Sequence, residues 1–220
     1  MKNRFLAGLI VLLLPFAALA GALDDLEEAM IRHDPDAAIS LIKRGIDVNT
    51  VDKQGDTLLI QAVKHDMPQL FDYLLQHRAR LNTRNRNGET ALSIAAYHGR
   101  EPFVRRLVEA GAEINFFGWP PLSYAAYNGH TKIVEYLISR GAEIDGKTEN
   151  GSTALFFAAR FGHIDTVKAL LKHGADPTVI NENDETAVDW ALKGRNTDIE
   201  DLLRKAGGRS GKAVTIELSK

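Results

Sequence analysis

The sequence predicts a mainly α-helical solenoid. Three observations carry that prediction: a block of 30 to 33 residues recurs along the chain, each block holds two short runs with apolar residues at helical spacing, and polar turn segments separate the blocks. The chain has 220 residues, of which 45% are hydrophobic and 25% charged, and no long biased tract. That is the composition of a globular protein with room for one sizeable core or a short repeat array.

Residues 1–20 stand apart from the repeats. MKNR carries two positive charges, and FLAGLIVLLLPFAALA then runs sixteen residues without a charge, ending in Ala18-Leu19-Ala20. A basic start, an apolar stretch and a small-residue site in that order predict a cleaved signal peptide, with the mature chain beginning near Gly21. The apolar stretch contains Pro15 and falls short of the roughly 20 residues that span a bilayer, so no membrane span is expected after cleavage. Removing Lys2 and Arg4 leaves 25 basic against 29 acidic side chains, a balance that favours neither nucleic acid nor an anionic membrane. There is no cysteine, so stability must come from packing rather than disulfides, which suits an exported protein of a bacterial periplasm.

The array is read over residues 21–207, in six units at about 21–54, 55–87, 88–117, 118–150, 151–183 and 184–207. GDTLLIQAVKHD starts at Gly55, GETALSIAAYHG at Gly88, GWPPLSYAAYNG at Gly118, GSTALFFAARFG at Gly151 and DETAVDWALKGR at Asp184. A second block recurs in phase, as in PFVRRLVEAGAEIN from Pro102 and KIVEYLISRGAEID from Lys132. In the third unit Thr90 is placed to cap a first helix carrying Leu92, Ala95 and Ala96, and a second helix carries Val104, Leu107 and Val108. Gly111 then suits a left-handed helix end. Asn82–Gly88 and Asp145–Gly151 are polar and close on Asn-Gly, which is strong turn chemistry. The second unit has Asp66 and Arg78 where glycines are usual, and is expected to be the least regular. Gly208–Lys220 reads as a flexible tail in which AVTIEL is the one strand-like run.

GETALSIAAYHG followed by FVRRLVEAGAEIN closely resembles an ankyrin repeat, and the resemblance extends over about Leu23–Gly207. It implies an ankyrin-repeat solenoid of helix-turn-helix units joined by short β-hairpin or turn fingers. No unit has the full Thr-Pro-Leu-His: units 3 and 5 keep Thr-Ala-Leu and unit 4 has Pro120-Pro121-Leu122. The first and last units look like caps, with Asp24, Asp25, Glu27 and Glu28 at one end and Asp198, Glu200 and Asp201 at the other as the polar outer faces. The chain is also similar to small ankyrin proteins exported by Gram-negative bacteria. That similarity implies one of two settings, protection from oxidative stress beside a catalase or neutralisation of a toxin as an immunity protein.

Catalytic chemistry finds no support in the residues. There is no His-Glu-x-x-His, no phosphate-binding loop, no Gly-x-Ser-x-Gly and no cysteine nucleophile. His130 and His163 each follow a glycine of the repeat and read as structural; His65 and His98 lie one period apart but have no evident third metal ligand. The expectation is therefore a monomeric, non-catalytic protein with no cofactor and no metal, whose partner is another protein. An envelope scaffold, or a metal-binding or hydrolytic enzyme, is the alternative.

The resemblance places a protein partner in a concave groove lined by fingers and first helices. In unit 2 this maps onto Lys53, Gln54, Asp56, Lys64 and His65, in unit 3 onto Arg86, Asn87, Glu89, Tyr97 and His98, and in unit 4 onto Phe116, Phe117, Trp119, Tyr127 and Asn128. Unit 5 adds Glu149, Asn150, Ser152, Arg160 and Phe161, and unit 6 Glu182, Asn183, Glu185 and Lys193. Aromatic residues gather in the middle and charges at the ends, which is the anatomy of a protein interface. The candidate partner-binding residues are therefore Tyr97, His98, Phe116, Phe117, Trp119, Tyr127, Asn128, Arg160 and Phe161. Between Asn115 and Gly118 there are only two residues where other units have five, so that finger is three residues short, and Pro120 replaces the capping threonine. Phe116, Phe117 and Trp119 either face the groove or fold over the gap.

Overall fold

The computed structural model describes residues 16–211, with side chains from Gly21. Most of the expected signal peptide and the AVTIEL run lie outside the described residues. Two compact units divide the chain, Met1–Asp47 and Val48–Lys220.

In the first, α1 (Phe16–Ile31) and α2 (Pro35–Lys43) pack together through Leu26, Ala29 and Met30 on one helix and Ala38, Leu41 and Ile42 on the other. Asp34 accepts the Ala37 N–H at 2.9 Å and Pro35 occupies the first turn, so the start of α2 is both capped and pre-set. Asp24, Asp25, Glu27 and Glu28 are all exposed. The expected cleavage point after Ala20 falls within α1.

The second unit is a stack of helix pairs: α3 (Leu58–Lys64) with α4 (Pro68–Gln76), α5 (Ala91–Tyr97) with α6 (Glu101–Glu109), α7 (Pro121–Tyr127) with α8 (Thr131–Ser139), α9 (Ala154–Arg160) with α10 (Ile164–Lys172), and α11 (Ala187–Gly194) with α12 (Thr197–Lys205). Leading helices α3, α5, α7 and α9 have 7 residues each, and the trailing helices 9. Ala95, Ala96, Ala125, Ala126, Ala158 and Ala159 are fully buried, which lets successive leading helices approach closely. Larger residues fill the space behind them, among them Leu70, Phe71, Leu74, Leu107, Leu137 and Leu170, and Phe71 meets Phe103 edge-on at 4.6 Å. Each such side chain taken wholly from water contributes about 1.5–3 kcal/mol. Between the pairs run turns, with an isolated antiparallel bridge from Val51 to Thr57.

Thr90 caps α5 as its position predicts: its hydroxyl accepts the Ser93 N–H at 3.2 Å, and the Ser93 hydroxyl accepts the Thr90 N–H at 2.8 Å. Pro120 leaves α7 without a side-chain cap, and Pro121 sets the first turn instead. The second unit of the array is not irregular. Asp66 and Arg78 hold φ of 56° and 57°, the left-handed turn that glycines make in the following units, so the helix lengths are preserved and the cost is local backbone strain.

Two series of side chains tie each pair to the next. Asn49, Asn82 and Asn115 accept the N–H of Arg80, Glu113 and Glu143 at 2.8, 2.9 and 2.9 Å, and Asp145 accepts that of Asp176 at 3.1 Å. At the other end of the leading helices, His130 meets the Tyr97 carbonyl at 3.0 Å and His163 the Tyr127 carbonyl at 2.9 Å. Arg100 donates to the Lys64 carbonyl at 3.0 Å, and Asn196 to that of Ala159 at 2.8 Å, in the same role. The helix ends that would otherwise present unpaired carbonyls are thereby satisfied by the neighbouring unit. The same packing calls for a glycine one unit before each histidine: a Cβ on Gly99 or Gly129 would lie 2.5 Å from the imidazole of His130 or His163.

The start of the tail is held rather than loose. Ser210 hydrogen-bonds Asp189, the Gly211 N–H donates to Asp189 at 2.8 Å, and Thr186 donates to the Arg209 carbonyl at 2.6 Å. The flexible tail expected over 208–220 is thus held in place over 208–211, and the rest of it lies outside the described residues. Asp189 sits at the third position of α11, where one carboxylate serves both the helix start and the segment that returns to it.

Candidate protein-binding face

The face formed by α3, α5, α7, α9 and α11 has a simple register. The residue after the turn position is Asp56, Glu89, Trp119, Ser152 and Glu185 in successive units, and eight residues on, at the helix end, stand Lys64, Tyr97, Tyr127, Arg160 and Lys193. Eight residues is a little over two helical turns, so the two positions share a face. In the outer units they form ion pairs, Asp56–Lys64 and Glu185–Lys193, both at 2.5 Å. Asp56 is also bonded by Asn85 at 2.7 Å, and Glu185 accepts from the Trp190 indole at 2.9 Å. These two carboxylates are buried, so they close the ends of the face rather than offering free charge, contrary to their expected place on an open polar rim.

The middle is aromatic. Trp119 and Tyr127 take the place of the ion pair in the fourth unit, their rings 6.3 Å apart. From there a run of ring contacts crosses several units: Tyr97 to Tyr127 at 6.1 Å, Tyr127 to Phe161 at 4.3 Å, Trp119 to Phe157 at 4.5 Å and Phe157 to Trp190 at 5.4 Å. Tyr124 lies beneath, 5.3 Å from Trp119 and 5.9 Å from Tyr97. Tyr97 and Phe161 are exposed, Trp119, Tyr124, Tyr127 and Trp190 are half-buried, and Phe157 is buried. Burial and the neighbouring Glu89 and Glu149 carboxylates push the Tyr124 phenol up to about 12, and it shares a hydrogen bond with Glu89. The face therefore carries a neutral phenol and rings packed against one another in tilted and edge-on pairs.

Of the nine candidate residues, the structure brings Tyr97, Trp119, Tyr127 and Phe161 into this one surface. His98 caps the end of α5 at the edge of the Tyr97 ring, 5.2 Å away. Burial, with Arg100 and Lys64 nearby, lowers its pKa below the ordinary 6.5. Asn128 is committed elsewhere, donating to the Tyr97 carbonyl at 2.7 Å, so it joins units rather than presenting an amide outward. Arg160 ends α9 half-buried, and its Nη1 is enclosed without a hydrogen-bond acceptor among the described residues. Phe116 and Phe117 do not join the ring run. Phe116 lies half-buried under the Arg84 guanidinium at 4.4 Å, while Phe117 is 79% exposed. Tyr124, Phe157 and Trp190 were not among the candidates, although their spacing of 33 residues was visible in the sequence.

A family profile described as ankyrin repeats in three copies matches residues 26–118, 69–148 and 122–211, which together run through most of the chain. The chain belongs to the ankyrin-repeat family. Over 79 residues it is 38% identical to B-cell lymphoma 3 protein homolog of Mus musculus, covering 36% of this chain and 18% of the relative. Neurogenic locus Notch protein of Drosophila melanogaster is 41% identical over 80 residues, covering 36% of this chain and 3% of its own length. Ankyrin repeat protein 14 of Vaccinia virus is 39% identical over 54 residues, covering 24% of this chain and 23% of its own length. The chain thus spans under a quarter of the length of each of these relatives, and what they share with it is the repeat. Ankyrin repeats are generally non-catalytic interaction modules, and these make the chain a protein-binding module. Among the described residues no helix is long and apolar enough to cross a membrane.

Proposed function

We propose that this is an exported, non-catalytic protein of the bacterial periplasm that holds one partner protein against the aromatic face of α5, α7, α9 and α11. The observation that carries the reading is the unbroken ring run from Tyr97 to Trp190, bounded by ion pairs at Asp56–Lys64 and Glu185–Lys193. Rings already packed against one another lose little entropy on binding, and each aromatic covered by a partner removes up to about 150–250 Å² from water. Export is supported by the basic start, apolar stretch and Ala-x-Ala site of residues 1–20 and by the absence of cysteine. Two settings fit such a face, protection from oxidative stress beside a catalase and neutralisation of a toxin. Both need only a complementary surface.

The test is quantitative capture from envelope extract of the host bacterium with the mature chain and with a Tyr97→Ala, Tyr127→Ala variant. The expected outcome is one dominant partner, reduced more than about tenfold by the variant at unchanged helicity. Equal recovery by both proteins would favour a scaffold role and overturn the reading. Fractionation of cells expressing the full chain should place it in the periplasm with an N-terminus at Gly21; retention in the cytoplasm overturns the proposed location.

A further inference from the structure

The fingers of this array pair through their backbones wherever both are complete. The Arg86 N–H donates to the Gln54 carbonyl at 3.1 Å, joining the fingers of units 2 and 3, and the Glu182 N–H donates to the Asn150 carbonyl at 3.1 Å, joining those of units 5 and 6. The same positions bordering unit 4 are the Asn87 carbonyl and the Glu149 N–H. The finger that would stand between them lacks three residues, and among the described residues neither group has a hydrogen-bond partner. The shortage does not disturb the rest of unit 4: Asn115 keeps its bond to the Glu143 N–H at 2.9 Å, and α7 keeps its 7 residues.

What fills the gap is asymmetric. On the side of unit 3, Arg84 covers it, stacking on Phe116 and reaching the Phe117 carbonyl at 3.4 Å. On the side of unit 5 a slot of about 380 Å³ remains, lined by Phe116, Phe117 and Pro120 and rimmed by Glu143 and Lys147. Phe117, at 79%, is the most exposed large hydrophobic residue among those described.

We infer that this slot receives a β-turn from a protein partner, which extends the row of fingers by accepting from the Glu149 N–H and resting an apolar side chain on Phe116, Phe117 and Pro120. The mode is strand addition on the scale of one turn: backbone pairing supplies register, and the apolar slot selects the side chain. It goes beyond the aromatic-face reading because it uses a different surface and different groups.

The probe is a cyclised peptide carrying Asn82–Glu89, the chain's own preceding finger, which has the backbone pattern that units 2 and 3 already use. Added to the mature chain, it should shift the amide resonances of Glu149, Lys147 and Phe117 with a Kd of order 1 mM, as expected for a single turn. A variant with three residues inserted between Phe117 and Gly118 should lose those shifts and show Glu149 amide exchange slowed about tenfold. The Tyr97→Ala, Tyr127→Ala variant should keep the shifts, which separates failure of this inference from failure of the aromatic-face reading. No shift at Glu149, or equal shifts in the inserted variant, overturns the inference. So does a dimer that is abolished by Phe117→Ser in light scattering, since a second copy would then occupy the slot.

Discussion

Tyr124 shows how one side chain reports on the state of the face. Its phenol is pushed up to about 12, first by burial and then by the Glu89 and Glu149 carboxylates, because ionising it would place a third negative charge in a partly closed site. The folded value lies above the unfolded value of 10, so the protonated form is the one that folding favours. Its contribution to stability is complete below pH 10 and is lost as pH rises toward 12. The expected outcome is a late phenol in the ultraviolet titration of the folded chain, absent from Tyr124→Phe, with the variant losing less stability than the parent between pH 10 and pH 12. An identical titration in the two proteins would show that Tyr124 is solvated and that the ring run is looser than drawn. At this scale much was legible in the sequence. Thr90, Leu92 and Val104 stand where local rules put them, because a cap and an apolar stripe are decided within one helix. Tyr124, Phe157 and Trp190 escaped because the middle of a short helix reads as core; Phe157 is indeed buried, and Tyr124 and Trp190 are half-buried. Asn128 escaped in the opposite sense, since its acceptor, the Tyr97 carbonyl, lies a full unit away.

Among the elements, the regularity of α3 and α4 is the informative case. Asp66 and Arg78 take the left-handed turns that glycine takes in units 3, 4 and 5, which costs about 1–2 kcal/mol at each position. Asp66 recovers part of this through an ion pair with Arg100 at 3.0 Å, the same Arg100 that satisfies the end of α3. Arg78 is exposed and has no such return among the interactions described. Arg78→Gly should therefore raise the unfolding free energy by about 0.5–1 kcal/mol, the relief of strain less the added freedom of the unfolded chain. Thermal or urea melting measures it, and a loss of stability would mean that the arginine stem contributes packing. The sequence located both departures but not their consequence. Irregular residues need not give an irregular element when the packing on either side of a turn fixes its backbone. The bonds of Arg100 to the Lys64 carbonyl and of Asn49 to the Arg80 N–H flank these two turns, and each acts between units, beyond the reach of any local reading.

For the array as a whole, function is a matter of zoning. The same two positions recur in each unit, and the residues placed there close the face with an ion pair in units 2 and 6 and open it with two rings in unit 4. Nearest-neighbour stacking makes such an array tolerant of exchange, because a change in one unit is felt mainly by the two beside it. This allows the proposed binding zone to be removed without removing the fold. Trp119→Glu with Tyr127→Lys would give unit 4 the pair that Glu185 and Lys193 make in unit 6. The variant forfeits the contacts of Trp119 with Phe157 and of Tyr127 with Phe161, about 0.5–1.5 kcal/mol each, and regains part of that through the new ion pair. Circular dichroism should show unchanged helicity and a melting temperature lowered by only a few degrees, roughly what 1 kcal/mol costs an array of this size. Affinity for the partner recovered by the parent chain should fall by about a hundredfold or more, since two central aromatics are replaced by charges that the partner would have to desolvate. Retained affinity in a folded variant would place the binding zone elsewhere. Collapse of the fold would show that the rings serve the stack before they serve a partner.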